Sequence, residues 1–369
     1  MRIMHIGKYY HPRRGGMETV LRTMAEGLAG RGHAVTVVVA GDADDRGGAE
    51  DRAGVRVVRA WTPAVLNSQP VAPGLLGLLR RELARQAPAV VTLHLPHPLA
   101  AAACLALGLG GPGQPALAVW HHADITRQRL GRRLARPLQD ACLARAARVA
   151  TSSATHRDGS RELARWGAKT VVIPFGVAGV EPVVPADGGA FLFVGRLVRY
   201  KGLSVLLKAL AELPDARLEV IGSGPEEGDL RRLASGLGLA DRVAWLGALD
   251  ETALERRLAA ARALVLPSLD CSETFGVVQL EAMAAGVPVI ASDLPTGVRE
   301  VASPASHLLV PPGDAAALGR AMAAILSDPD AARRRGAAGR ERQQALFGRG
   351  LMLDRLEAWY GAAATAGRT

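Results

Sequence analysis

The chain has 369 residues, too many for one ordinary core and suited to two domains of roughly 180 residues each. Hydrophobic residues make up 49%, with 42 Gly and 22 Pro, and no stretch is both polar and repetitive enough to stay disordered. The net charge of +10 is uneven: residues 1–180 carry 24 Lys and Arg against 12 Asp and Glu, the remainder 21 against 23. A basic half attracts nucleic acid, anionic lipid or phosphorylated ligands. No basic run with interleaved aromatics and no nucleic-acid motif is present, which argues against a nucleic-acid partner. Only four of the 45 cations are lysines, so part of the basicity is compositional. Peripheral contact with an anionic membrane and plain solubility are equal readings of the basic surface.

The most apolar run, Pro98 to Gly111, falls short of the ~20 residues a membrane helix needs. The N-terminus, Met1 to Gly7, lacks the apolar core of a signal peptide, and a cytoplasmic location follows as the expectation. Cys104, Cys142 and Cys271 have no metal-like spacing and cannot all pair, in keeping with a reducing compartment.

In chain order, residues 1–7 read as a strand, 18–31 as a helix and 34–40 as a buried strand. Strands at 55–60, 90–93, 117–120, 149–152 and 170–173 follow, with helices at 73–85 and 132–147. A Pro- and Gly-rich segment, 174–189, reads as a linker, after which the alternation restarts. Strands are expected at 191–194, 217–221, 243–246, 263–266 and 287–291, and helices at 203–212, 227–237, 251–261, 275–285 and 315–326. Two doubly wound α/β domains are the economical reading, facing each other across a cleft at the carboxyl ends of their strands.

The turns after these strands carry the chemistry. The first is Tyr9-Tyr10-His11-Pro12-Arg13-Arg14-Gly15-Gly16-Met17-Glu18, where Gly15 and Gly16 allow a phosphate close to a helix N-terminus or simply make a tight turn. The second, Phe193-Val194-Gly195-Arg196-Leu197-Val198-Arg199-Tyr200-Lys201-Gly202, sets Arg196 and Lys201 just past a strand, where two cations can hold a diphosphate. Gly222 and Gly224, in Val220-Ile221-Gly222-Ser223-Gly224-Pro225, suit a nucleotide pressed against backbone, although such glycines are common without a ligand. The run Pro267-Ser268-Leu269-Asp270-Cys271-Ser272-Glu273-Thr274-Phe275-Gly276-Val277-Val278-Gln279-Leu280-Glu281 continues to Ile290 and is the most informative. Glu273 is expected before a helix and Glu281 within it on the same flank, both suited to gripping sugar or ribose hydroxyls. The amides of Thr274, Phe275, Gly276 and Val277 would seat a phosphate between them.

Gly15-Gly16, Gly195-Arg196 to Lys201-Gly202, Gly222-Ser223-Gly224-Pro225, Ser272-Glu273-Thr274-Phe275-Gly276 and the Glu273/Glu281 pair, taken in order over nearly the whole chain, resemble family 4 of the GT-B glycosyltransferases. The resemblance implies two Rossmann-like domains, at 1–178 and 179–350, with a final helix over 351–369 packing back on the first. It implies a nucleotide-diphosphate sugar as donor, GDP- or UDP-linked, with no separate cofactor and no metal. Arg196 and Lys201 would bind the diphosphate, Glu273 the donor sugar and Glu281 the ribose. The segment Trp120-His121-His122-Ala123-Asp124-Ile125-Thr126-Arg127-Gln128 resembles the His-Ser-Asp-Ile stretch of bacterial surface-polysaccharide members. By that register His122 sits at the donor sugar with Asp124 nearby, although Ala123 departs from the pattern and His121 competes for the role. Val278-Gln279-Leu280-Glu281 and Asp293-Leu294-Pro295-Thr296-Gly297-Val298, ending at Glu300 and Val301, resemble mannosyltransferase-like members.

The resemblance implies retention of anomeric configuration, by a same-face substitution in which the leaving phosphate helps deprotonate the acceptor. The acceptor, a glycan or an isoprenoid-linked glycan, would belong to the basic N-terminal half. Three rivals stand beside this reading. Asp42-Ala43-Asp44 mimics an Asp-x-Asp metal site of the other common transferase fold, with Asp328-Pro329-Asp330 as a second instance in an expected loop. A sugar-nucleotide epimerase or hydrolase could share the architecture, as could a non-catalytic binding protein.

Overall fold

The computed structural model describes every residue except 14, 42–46, 67–68, 126–128, 181–188 and 368–369. Asp42, Ala43 and Asp44 therefore lie outside the described residues, as do Thr126, Arg127 and Gln128. The chain divides into two compact units: Met1–Pro174 with Met352–Thr369, and Phe175–Leu351.

The first unit contains β1 (Arg2–Ile6), β2 (Ala34–Ala40), β3 (Gly48–Arg52), β4 (Val55–Ala60), β5 (Ala64–Leu66), β6 (Gln69–Val71), β7 (Val90–Leu95), β8 (Ala116–His121), β9 (Arg148–Thr151) and β10 (Thr170–Val172). Eight of these form one sheet in the order β10-β9-β8-β7-β1-β2-β4-β3, parallel except for β3, while β5 and β6 form a separate hairpin. β7 and β8 are buried along their whole length, as parallel strands covered on both faces must be. The helix Gly16–Gly30 buries Val20, Leu21, Met24, Ala25 and Leu28, the stripe by which an amphipathic helix meets a sheet. A Cβ on Gly7 would collide with Leu21, so the missing side chain lets this helix settle over the end of β1.

The second unit contains β11 (Phe191–Val194), β12 (Leu218–Ile221), β13 (Val243–Gly247), β14 (Ala263–Leu266), β15 (Val289–Ser292) and β16 (His307–Val310), in one parallel sheet ordered β13-β12-β11-β14-β15-β16. Its core gathers Phe191, Phe193, Leu206, Leu207, Val220, Val265 and Ile290. Phe175 packs edge-on to Phe275 at 4.9 Å between ring centroids, and Val177 N–H donates to the Phe347 carbonyl. Those contacts attach the first residues of the expected linker to this unit.

Several elements differ from expectation. β3 carries Glu50, Asp51 and Arg52 and is exposed throughout, a charged edge strand with no apolar pattern to announce it. The helix expected from residue 275 begins at Val277, because Gly276 stands in the left-handed region at φ 70° and ends the preceding turn. Glu273 stands before the helix and Glu281 within it, as expected. Asp328 is not in a loop: its carboxylate caps the helix Pro329–Leu346 by accepting from Ala331 N–H, and Asp330 lies in that helix's first turn. That capping role accounts for the second Asp-x-Asp.

Candidate functional site

In open α/β sheets ligands bind where neighbouring strands leave in opposite directions, beyond their carboxyl ends. In the second unit that point lies between β11 and β14, the adjacent central strands. β11 runs into Gly195 and Arg196, and β14 into Pro267 and Ser268. Lys201 closes a short turn of 3-10 helix, Arg199–Lys201, and its chain passes over Gly195, whose Cβ would lie 3.4 Å from the Lys201 Cε. The Lys201 Nζ donates to Glu273 Oε2 at 2.5 Å, and Ser268 Oγ donates to the same oxygen at 3.0 Å. With side-chain exposures of 13% and 9%, this is a buried pair, dependent on good geometry for its net stability. Burial alone would lower the Lys201 pKa, but Glu273, Tyr200 and the hydrogen bond outweigh it and hold the ammonium above its ordinary value. Lys201 is therefore a fixed cation at neutral pH.

Arg196 is exposed and has no ion-pair partner among the described residues. The two cations are thus unlike: one is matched to a carboxylate, the other faces solvent. Gly222 and Gly224 have a packing reason to be glycine, since a Cβ on Gly222 would collide with the Gly195 carbonyl and one on Gly224 with the Leu197 backbone. Leu197 N–H donates to the Ser223 carbonyl, so the two strand-end turns lie directly on each other. The close approach that excludes side chains here is of backbone to backbone.

The Phe275 side chain is buried between Phe175 and Phe347, which leaves only its backbone to face a ligand. Gln279 Nε2 donates to the Phe275 carbonyl at 2.5 Å, and Gln279 Oε1 lies 3.2 Å from His307 Nε2. These two buried residues, missed in the sequence, hold the turn that carries Thr274, Gly276 and Val277. Thr274 and Val277 are half-buried at the mouth of the helix Val277–Ala284, whose first amides have no partner within the helix. Glu281 is half-buried on the same helix.

In the first unit the corresponding point lies between β1 and β7. A pocket there is lined by Gly7, Lys8, Tyr9, Glu18, His94 and His122, among others. Gly15 caps the helix Gly16–Gly30 with the Glu18 carboxylate folded against it, where a Cβ would collide, whereas Gly16 has open space beside it. His122 is buried next to His94, with His94 Nδ1 2.9 Å from His122 Nε2, and burial lowers the His122 pKa to about 3.

His121 turns the other way. Its Nδ1 is 3.0 Å from His156 Nε2 and its Nε2 3.2 Å from Glu162 Oε2. Glu162 Oε1 accepts from Ile125 N–H, while Asp124 accepts from the Ser160 hydroxyl and from Arg161 N–H. Burial would raise the Glu162 pKa, but bonds from His121 and Ile125 bring it below the usual value. His121 and Asp124 thus anchor the loop that carries His122, and of the two histidines His122 lines the pocket. His121, Asp124 and His156 bring one potential ligand atom each within 4.8 Å of one another, the group among the described residues that could hold a cation. Each of the three already engages a hydrogen-bond partner, so the cluster is satisfied as it stands.

The chain matches two family models: "Glycosyl transferase 4-like domain" over residues 15–176 and "Glycosyl transferases group 1" over 181–342. It is 30% identical over 368 aligned positions, 96% of both chains, to the O-antigen chain mannosyltransferase C of Escherichia coli. A D-rhamnosyltransferase of Pseudomonas aeruginosa is 33% identical over 279 residues, 72% of this chain and 71% of its own. Among solved structures, the sucrose-phosphate synthase of Thermosynechococcus elongatus superposes with a TM-score of 0.82 at 27% identity, covering 98% of each chain. An epimerase, hydrolase or non-catalytic reading gives way to these matches. With transferase models over both halves and a relative aligned from end to end, the protein belongs to family 4 of the GT-B glycosyltransferases and is a hexosyltransferase.

Proposed function

We propose that the protein is a retaining, metal-independent transferase that moves a mannose-like hexose from a GDP- or UDP-linked donor to a glycan or isoprenoid-linked acceptor. The observation that carries this reading is the Lys201–Glu273 pair beside exposed Arg196 at the carboxyl ends of β11 and β14. A permanent ammonium there, with an exposed guanidinium five residues earlier, supplies the positive charge that a departing diphosphate needs. Each cation is worth roughly 3–4 kcal/mol by analogy with oxyanion donors. The first amides of the helix Val277–Ala284 add partial positive charge. Glu273 shares its Oε2 between Lys201 and Ser268, which makes it a poor nucleophile and favours same-face substitution over a glycosyl-enzyme. The mannose preference rests on the E. coli relative's name and on the loop residues Asp293 to Val301.

Incubation with GDP- and UDP-sugars and an isoprenoid-linked acceptor tests the reading. Transfer from GDP-mannose with an α-configured product, undiminished by EDTA, is expected. Inverted product or recovery only with Mn²⁺ would refute it.

Membrane contact is part of the same proposal. No helix of the described residues is long and apolar enough to cross a membrane. Trp61, Val65, Leu66, Val71 and Leu76 are nevertheless exposed on or beside the β5–β6 hairpin, with exposed Arg80, Arg81 and Arg85 following. Apolar tips flanked by cations suit an anionic bilayer surface. Co-sedimentation with anionic but not neutral liposomes, lost in Trp61→Ser with Leu66→Ser, is the expected result. Equal sedimentation with both would remove the membrane from the account.

A further inference from the structure

Three histidines lie side by side across the centre of the first sheet. His5 is on β1, His94 on β7, and His122 directly follows β8; the three strands are neighbours. His5 pairs in register with Thr92 and His94 with Trp120, so each histidine stands two residues farther along than the last, on the same face of the pleat. Their ring nitrogens make an unbroken line. His5 Nδ1 is 3.0 Å from His94 Nε2, and His94 Nδ1 is 2.9 Å from His122 Nε2. At the far end His5 Nε2 is 3.4 Å from the hydroxyl of Tyr360, which accepts from Thr92 Oγ1 at 3.1 Å. Tyr360 belongs to the helix Arg349–Ala366, whose neighbouring Trp359 meets Trp120 edge-on.

An apolar face would be the ordinary choice, because buried polar groups cost stability unless they are paired. Here the polar atoms pair with one another, and the line ends in the pocket bordered by Gly7, Lys8 and Glu18. Burial holds His5 and His122 near a pKa of about 3 and His94 well below its ordinary value, so all three rings are neutral at physiological pH. A neutral imidazole has one donor and one acceptor, so such a line must be polarised from end to end. Thr92 donates to the Tyr360 oxygen, which directs the Tyr360 proton to His5 Nε2. His5 then donates from Nδ1 to His94 Nε2, and His94 from Nδ1 to His122 Nε2. His122 is left with its proton on Nδ1.

We propose that Tyr360, His5 and His94 are positioning residues that fix His122 in the Nδ1–H tautomer, so that this ring meets the bound sugar as a hydrogen-bond donor of set direction. The kinetic consequence rests on the glycosyl transfer proposed above; the tautomer does not.

Full-length protein labelled with nitrogen-15 at histidine tests the proposal by long-range proton–nitrogen correlation, with His122→Gln used to assign the resonances of His122. In the wild type His122 is expected as a single Nδ1–H form. Tyr360→Phe and His94→Leu should each convert it to a mixture or to the Nε2–H form, with kcat down about tenfold and the donor KM within about twofold, the size of one lost hydrogen bond. A mixed His122 in the wild type, or an unchanged pattern in the variants, overturns the proposal. A changed tautomer with unchanged kcat overturns its functional half. Should His94→Leu fail to fold, Tyr360→Phe, which removes one hydroxyl, decides alone. The expected spectrum in a protein that transfers no sugar would sink the proposed transfer and leave the line standing.

Discussion

The two units place their central strands alike and fill the resulting strand ends with opposite chemistry. On β1, on β7 and just past β8 stand uncharged imidazoles linked through their ring nitrogens. Beyond β11 and β14 stand a buried ammonium, a carboxylate and an exposed guanidinium. Shared topology thus fixes where a ligand can go, whereas the side chains gathered near each set of strand ends decide what it can be. An ionic end suits a diphosphate; a neutral donor and acceptor surface suits hydroxyls.

The largest break in this contrast comes from Lys201→Met. Turnover should fall by about two orders of magnitude or more in a steady-state assay. Stability should fall too, by about 3–5 kcal/mol in urea melts, because Glu273 is left buried without its cation. Adding Glu273→Gln should restore much of the stability and none of the turnover. Arg196→Ala separates the two effects: this exposed, unmatched side chain should cost about a hundredfold or more in turnover with stability changed by no more than about 0.5 kcal/mol. A melting point that fell as far as in Lys201→Met would show that Arg196 is a structural residue.

His122→Ala, at the other strand end, should be milder in turnover, about tenfold, and should cost about 1–3 kcal/mol by leaving His94 Nδ1 unpaired. Acid gives the smallest and broadest effect. His5, His94, His97, His122 and His156 in the first unit, and His307 in the second, all have pKa values lowered chiefly by burial from 6.5. Below pH 6.5 the unfolded chain binds protons that the native rings refuse, so stability present above that pH is lost as pH falls towards about 3. Hydrogen exchange followed from pH 7 to pH 5, corrected for intrinsic rates, should show protection lost first in the first unit. Equal loss in both would contradict the histidine contrast.

Much of this was legible in the sequence. Apolar runs broken by Gly and Pro gave the strands, and the strand-end motifs gave Arg196, Lys201, Glu273 and His122. The partners of those residues were not legible, since Lys201 and Glu273 are 72 positions apart and His5 and His94 are 89, joined only by strand register. The packing of Gly222 and Gly224 is hidden for a related reason: the surface they approach is the turn after β11, invisible along the chain. Local signals were also ambiguous where one residue type serves two ends. Asp328 is a helix cap in the guise of a metal motif, and Gly276 delays a helix that the apolar period would start earlier.

The central claim is that the diphosphate belongs to the ionic strand end. A crystal structure of the protein with GDP-mannose or UDP-glucose tests it directly. The account predicts phosphate oxygens within hydrogen-bond distance of Arg196 and Lys201, beyond β11 and β14. Phosphates lodged instead against His94 and His122 in the first unit, with Arg196 and Lys201 untouched, would contradict it.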